Sequence, residues 1–134
     1  MNSNEPHEAD SVKVLLVDDE EAYVRILAKR LRKRNFEVAT AFSGVQGVQA
    51  VRNAEYDVAV LDLKMEDLDG IEVLKIFKTM VPDMAVIMLT GHGSEQAARD
   101  GIEYGAYDYL LKPCDFDDLV QKILEAAAQS KDVT

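Results

Sequence analysis

The sequence is poor in several features that define common classes of protein. It has one cysteine, Cys114, which excludes an internal disulfide framework and suits a reducing cytosol. No apolar run approaches the ~20 residues that a membrane span needs, and residues 1–11 lack the apolar core of a signal peptide. Basic residues are also few, 15 against 25 acidic ones, for a formal net charge of −10. We therefore expect a cytoplasmic protein with no membrane partner and no nucleic acid bound by this chain.

The length and composition predict one folded domain. The chain has 134 residues, of which 48% are hydrophobic, and a domain of this size buries roughly 70% of its unfolded surface without a disulfide or metal staple. Residues 1–11 hold three acidic residues and no Lys or Arg, a composition typical of a disordered tail. The folded domain is expected over residues 12–128, with a short tail over residues 129–134.

Short apolar segments alternate with helical patterns along this domain. Ser43 and Asp115 are suited to begin helices, Gly105 is suited to end one, and Ser94 with Glu95 also favours a helix start. The apolar segments predict five strands, at residues 12–17, 36–41, 57–61, 84–89 and 107–111. Because the strands are apolar on both faces, we expect a doubly wound α/β domain with a parallel sheet covered by helices on each side.

The first predicted helix carries six of the fifteen basic residues. One interpretation is a solvated helix face, since the helix dipole favours cations near the C-terminus. The other is a docking surface for an acidic partner.

Polar residues follow four of the predicted strands. In doubly wound sheets the functional crevice lies outside the carboxyl ends of the strands, where this sequence has Asp18, Asp19, Asp62, Thr90 and Lys112. Three neighbouring carboxylates repel one another, so at least one pKa should be raised, and a hard cation such as Mg²⁺ would relieve the repulsion. A carboxylate can also act as a nucleophile toward phosphorus, while the Lys112 ammonium and the Thr90 hydroxyl can bind phosphoryl oxygens.

Four motifs together resemble the receiver domain of two-component response regulators, the CheY-like family. They are VLLVDDEE, LDLKMEDLDG, MLTGHGS and GAYDYLLKP, and the match covers about residues 12–128. The resemblance implies a flavodoxin-like fold with strand order 2-1-3-4-5. It also implies a phosphoryl group accepted on one aspartate from a sensor histidine kinase or phosphotransfer protein. A changed surface on the fourth helix, fifth strand and fifth helix would then engage a downstream partner or output domain, with a phosphorylation-dependent homodimer possible.

The resemblance also assigns roles to individual residues. Asp62 matches the family's phosphoacceptor, and Thr90 and Tyr109 match its two switch residues. Lys112 matches the active-site lysine of the family, which precedes a cis proline bond. The magnesium ligands would be Asp18, Asp19, Asp62 and the backbone carbonyl of Lys64. Tyr109 could instead be simple packing.

Several positions depart from the family pattern or tune it. Glu66 stands where proline is common, and Cys114 stands where phenylalanine is common; we interpret Cys114 as a small apolar filler. Lys64 and His92 lie two residues past Asp62 and Thr90, positions that influence hydrolysis of the acyl phosphate in the family. Both side chains are long enough to screen the phosphoryl group from water, which predicts slow dephosphorylation, and a half-life of seconds would count against it.

Three other functions have to be weighed. An aspartate-nucleophile phosphatase or hydrolase usually has a second Asp two residues past the nucleophile, where Lys64 stands, and needs a cap domain. An FMN binder needs a phosphate loop after the first strand, where acidic residues would repel the phosphate. A phosphorylation-independent pseudo-receiver usually lacks a pocket residue.

The leading interpretation is a signalling switch that catalyses only its own phosphorylation and dephosphorylation. Whether it stands alone or belongs to a longer protein stays open.

Overall fold

The domain is a five-stranded parallel sheet with helices on both faces. The structure is a computed structural model and describes residues 12–91 and 94–131. The strand order is 2-1-3-4-5 and all four neighbouring pairs are parallel, which confirms the predicted fold. In chain order the elements are β1 (Lys13–Val17), α1 (Glu21–Lys33), β2 (Glu37–Ala41), α2 (Gly44–Asn53), β3 (Val58–Asp62), α3 (Gly70–Met80), β4 (Ala85–Thr90), α4 (Glu95–Glu103), β5 (Asp108–Leu111) and α5 (Phe116–Lys131).

The observed bounds differ little from the sequence-based ones. Each strand begins one residue later than predicted. Helix α5 continues to Lys131, three residues past the predicted end of the domain, and the Ser130 hydroxyl donates a hydrogen bond to the carbonyl of Asp83 in the α3–β4 loop. The predicted tail, residues 1–11, lies outside the described residues.

Two apolar cores form because successive side chains of a strand point to opposite faces of the sheet. Leu16 of β1 lies in the core that contains α1 and α5, whereas its neighbour Leu15 lies in the core that contains α2, α3 and α4. Strands β3 and β4 are buried along their whole length. The near-continuous apolar runs of the sequence are therefore explained by a sheet covered on both sides.

The helix ends follow local side-chain chemistry at most positions. The Ser43 hydroxyl accepts a hydrogen bond from the Gln46 N–H at 3.1 Å, and Asp115 accepts one from the Asp117 N–H at 3.0 Å, which confirms both predicted caps. Gly105 has a φ of 108° and ends α4, as predicted. Ser94 is the N-cap of α4, but its side chain makes no capping hydrogen bond within the described residues.

Parts of the basic surface of α1 have partners within the domain. Arg30 lies over the ring of Phe116 at 4.0 Å, and Arg34 is 3.4 Å from Asp117 of α5. The Arg32 guanidinium donates to the carbonyl of Val38 on the edge strand β2 at 2.9 Å. These three side chains support the sheet edge and the α1–α5 contact, which favours a structural interpretation for them.

The parallel sheet brings the ends of β1, β3, β4 and β5 to one edge. Asp62 pairs with Leu89, and Thr90 pairs with Leu111, so the residues that follow these strands emerge side by side. None of the helices in the described ranges is long and apolar enough to cross a membrane.

Candidate functional site

Three predicted carboxylates meet at this edge of the sheet. Asp18 and Asp19 follow β1, and Asp62 ends β3. Each offers an oxygen, and these oxygens lie within 4.8 Å of one another. Asp18 and Asp62 are only 3% and 6% exposed. An all-oxygen donor set of this kind fits a hard divalent cation such as Mg²⁺ better than a softer metal.

Backbone amides fix the orientation of all three carboxylates. Asp18 Oδ1 accepts from the Glu20 N–H at 2.9 Å, and Asp62 Oδ1 accepts from the Lys64 N–H at 3.2 Å. Asp19 Oδ2 accepts from the Glu66 N–H at 3.1 Å. A proline at position 66 would have no N–H to donate, so this contact depends on the departure from the family pattern.

The buried carboxylate of Asp62 is the one whose titration is perturbed. Burial raises its pKa to about 6, and the neighbouring carboxylate of Asp18 adds to the rise. The Lys112 ammonium and the Lys64 N–H act in the opposite direction but do not cancel it. The clustering of carboxylates predicts a raised pKa, and burial contributes more to it than the neighbouring carboxylate does.

Lys112 places its ammonium between the carboxylates. Its Nζ donates to Asp18 Oδ2 at 2.8 Å and to Glu20 Oε1 at 2.9 Å, and lies 3.7 Å from Asp62 Oδ2. The Tyr23 ring lies 4.6 Å below the same ammonium. Burial disfavours the charge on Lys112, but the hydrogen bonds to Asp18 and Glu20 outweigh it, and the net effect raises the pKa. The Lys112–Pro113 bond is cis, as the resemblance implies.

The two predicted switch residues lie on neighbouring strands. Thr90 is fully buried at the end of β4, and its hydroxyl donates to the Gly91 carbonyl at 3.4 Å. Tyr109 lies on β5, paired with Met88, and is partly buried against the core that contains α2, α3 and α4. The Lys64 side chain is exposed. His92, the other residue proposed to shield the phosphoryl group, lies outside the described residues.

The acidic loop between β3 and α3 is attached to the start of α2. Both oxygens of Asp67 accept from that helix, from the Gly44 N–H at 2.9 Å and the Val45 N–H at 3.0 Å. These hydrogen bonds lower the pKa of Asp67. The loop that carries Lys64 and Glu66 is therefore held from two sides, by the candidate metal site and by α2.

Sequence reasoning missed three contributors to this site. Glu20 and Tyr23 contact Lys112, and Asp67 fixes the loop. The run of four acidic residues after β1 was a signal for Glu20, but spacing gave no indication of which carboxylate reaches Lys112. Burial raises the pKa of Tyr23 to about 12, so its hydroxyl stays protonated beside the acidic cluster.

Cys114 is half-buried against the α1 and α5 core, and burial raises its thiol pKa, as suits an apolar filler.

Comparison with known proteins gives a consistent result. The family model described as response regulator receiver domain matches residues 14–124. The chain is 38% identical over 122 residues to the transcriptional regulatory protein ZraR of Klebsiella oxytoca, which covers 91% of this chain and 28% of that protein. This chain thus spans little more than a quarter of that relative's length.

Solved structures agree in fold. A response regulator receiver domain protein from Clostridium thermocellum superposes with a TM-score of 0.88 at 34% identity, covering 92% of this chain and 99% of that one. A CheY-like receiver domain protein from Methanospirillum hungatei superposes with a TM-score of 0.85 at 29% identity, covering 89% and 95% of the two chains. The similarity extends over nearly all of the described domain.

Proposed function

This chain belongs to the response regulator receiver domain family of two-component systems, and on that premise we propose that it is a signalling switch phosphorylated on Asp62. One observation carries the assignment of Asp62. It is the carboxylate that ends a buried central strand and lies within reach of two further carboxylates and a partly buried lysine ammonium. The proposed donor is the phosphohistidine of a sensor histidine kinase or phosphotransfer protein.

In the proposed reaction the Asp62 carboxylate is the nucleophile. An Asp62 oxygen attacks the phosphorus atom in line with the leaving imidazole, so an O–P bond forms as the N–P bond breaks. Asp62 must be ionised for this attack. Its pKa of about 6 leaves most molecules ionised at neutral pH, because Lys112 and the Lys64 N–H limit the rise that burial causes.

The acidic cluster would hold the metal that the family requires. Asp18, Asp19, Asp62 and the backbone carbonyl of Lys64 are the proposed ligands, and the Glu66 N–H keeps Asp19 oriented toward the others. When bound, Mg²⁺ would neutralise charge on the phosphoryl oxygens. The Lys112 ammonium would supply a second positive charge, and the Thr90 hydroxyl is proposed to donate to a phosphoryl oxygen once it leaves the Gly91 carbonyl.

The proposed output is a change of partner at the surface formed by α4, β5 and α5. Repositioning of Thr90 and Tyr109 would favour one of two packings of this surface, as a population shift. Large apolar side chains are already exposed on these elements, at Ile102, Leu111 and Leu124. The proposed partners of this surface are a downstream protein, an output domain or a second copy of this chain.

The proposed location is the cytoplasm, where phosphodonor kinases act.

The test is phosphorylation by a small-molecule donor. Wild-type protein treated with acetyl phosphate and Mg²⁺ should gain the mass of one phosphoryl group and bind beryllofluoride, whereas Asp62→Asn should do neither. Lys112→Ala should be phosphorylated to an extent between those of wild type and Asp62→Asn, because it keeps the proposed acceptor but loses the ammonium. The proposal is wrong if folded wild-type protein is unmodified, or if Asp62→Asn is modified to the same extent.

A further inference from the structure

The ammonium of Lys112 is bound to two carboxylates, and neither is the proposed acceptor. Two hydrogen bonds, at 2.8 and 2.9 Å, go to Asp18 and Glu20, while the 3.7 Å separation from Asp62 Oδ2 is too long for a hydrogen bond. An ammonium has three N–H donors. Two of the three are therefore committed to the segment that follows β1.

The two partners of Lys112 differ in how firmly they are held. The Asp18 side chain is 4% exposed and also accepts from the Glu20 N–H, so a released Asp18 would be a buried charge without its cation. The Glu20 side chain is 65% exposed. Its carboxylate can be rehydrated when the contact breaks, so this contact costs less to release.

Glu20 contributes its backbone, but not its side chain, to the start of the helix that it precedes. It is the N-cap of α1, yet its carboxylate accepts no capping hydrogen bond from the described helix. The side chain instead extends to Lys112, across 92 residues of sequence. The side chains that ordinarily bind the N–H groups of the first turn are those of Ser, Thr, Asp and Asn, so the longer Glu20 carboxylate is available to Lys112.

From these contacts we infer that Glu20 is a positioning residue that holds the Lys112 ammonium away from Asp62 and competes with the phosphoryl group for it. The inference rests on the function proposed above, since it concerns the same pocket. When Asp62 carries a phosphoryl group, Lys112 exchanges Glu20 for a phosphoryl oxygen and keeps Asp18. Glu20 thereby lowers the affinity of the pocket for the phosphoryl group and favours the unphosphorylated state.

Two substitutions separate the contact from the charge. Glu20→Gln removes the charge and leaves only a neutral amide oxygen, which accepts a weaker hydrogen bond from the ammonium than a carboxylate does. Glu20→Asp keeps the charge but shortens the side chain by one methylene, and an aspartate at this position is drawn to the free N–H groups of α1. The matched control is Glu21→Gln, which removes the same charge one residue away, from an exposed side chain whose partner is Arg25.

The experiment is a beryllofluoride titration of the full chain in saturating Mg²⁺, followed by tyrosine fluorescence or calorimetry. The Mg²⁺ affinity of each variant is measured separately, so that a metal effect is not mistaken for an effect on Lys112. An exposed ion pair corresponds to a roughly two- to fivefold change in an equilibrium constant. We expect Glu20→Asp and Glu20→Gln to bind beryllofluoride tighter than wild type by about this factor, and Glu21→Gln to change less than either.

Each other outcome has a definite meaning. If Glu20→Asp matches wild type while Glu20→Gln binds tighter, the effect is long-range charge and the positioning role is wrong. Unchanged or weaker binding in both variants would show that Glu20 does not compete with the phosphoryl group for Lys112, which also overturns the inference. If folded wild-type protein binds no beryllofluoride in Mg²⁺, the proposed function fails and the inference fails with it.

Discussion

At the scale of single residues, the proposed acceptor pocket is a place where function would oppose stability. Asp62 is ionised at neutral pH although burial and the Asp18 carboxylate raise its pKa to about 6. A folded-state pKa above the unfolded value means that the ionised group destabilises the fold. The penalty is complete above the folded-state pKa and disappears as the pH falls toward the unfolded value of 3.8. The carboxylate proposed as the phosphoacceptor is thus retained at a cost in free energy of unfolding.

This cost predicts a pH-dependent effect of removing the charge. In the absence of divalent metal, Asp62→Asn should raise the free energy of unfolding by on the order of 1–2 kcal/mol at about pH 8, since the neutral amide is not penalised by burial or by Asp18. The difference from wild type should shrink as the pH falls from about 6 to about 4. Urea unfolding at several pH values measures it. A stability difference that does not vary with pH would contradict the assignment of the raised pKa to Asp62.

At the scale of the elements, the start of α3 is packed unusually close to the end of β3. The Gly70 N–H donates to the Leu63 carbonyl at 3.1 Å. A Cβ at Gly70 would lie 2.5 Å from Leu63 Cα and 2.9 Å from the Asp62 carbonyl oxygen. Because these are backbone atoms of the segment that carries the proposed acceptor, they cannot move aside as a flexible side chain would. The helix, the strand end and the Asp62 side chain are therefore fixed together.

Gly70→Ala tests this close approach. The added methyl group should destabilise the domain by about 1–3 kcal/mol, as overpacking against a rigid neighbour does, and the shift of residues 62–63 should weaken Mg²⁺ binding as well. Gly91→Ala is the matched control, because no described atom lies within 4 Å of a Cβ at Gly91. Thermal unfolding and a Mg²⁺ titration of both variants measure the effects. Equal stability of the two variants would contradict this prediction, because it would show that the backbone near Leu63 shifts at little cost in free energy.

At the scale of the whole molecule, the acidity of the chain is divided between general surface charge and the cluster proposed to bind a metal ion. The formal net charge is −10, and three of the acidic groups converge at one edge of the sheet. Helices pack against both faces of the sheet through the two apolar cores. The strands therefore cannot move apart to relieve the repulsion between the three carboxylates. The Lys112 ammonium relieves part of this repulsion, and a divalent cation would relieve more of it.

Magnesium should accordingly stabilise the whole fold. A ligand that binds only the folded state at a hundredfold excess over its Kd adds roughly 2.7 kcal/mol to the free energy of unfolding. We expect Mg²⁺ to raise the melting temperature of wild-type protein, and to raise that of Asp19→Asn much less. Sodium chloride at matched ionic strength controls for general screening of the net charge. If sodium chloride stabilises the protein as well as Mg²⁺ does, the acidic cluster is not a specific metal site.

The sequence by itself determined the architecture and most of the pocket. Helical and strand periodicity are local properties, so element bounds fell within a few residues of those observed. A parallel sheet necessarily brings its strand ends to one edge, which is why Asp18, Asp62 and Lys112 could be placed together before any distance was known.

Only the tertiary structure decided how the pocket groups are paired. Lys112 binds Asp18 and Glu20 more closely than Asp62, the Glu66 N–H holds Asp19, and Asp67 joins the loop to α2. These contacts join residues that are 22 to 94 positions apart. They depend on side-chain rotamers, burial and the competition of several carboxylates for one ammonium. Such quantities belong to the packed three-dimensional arrangement, and no local pattern in the chain encodes them.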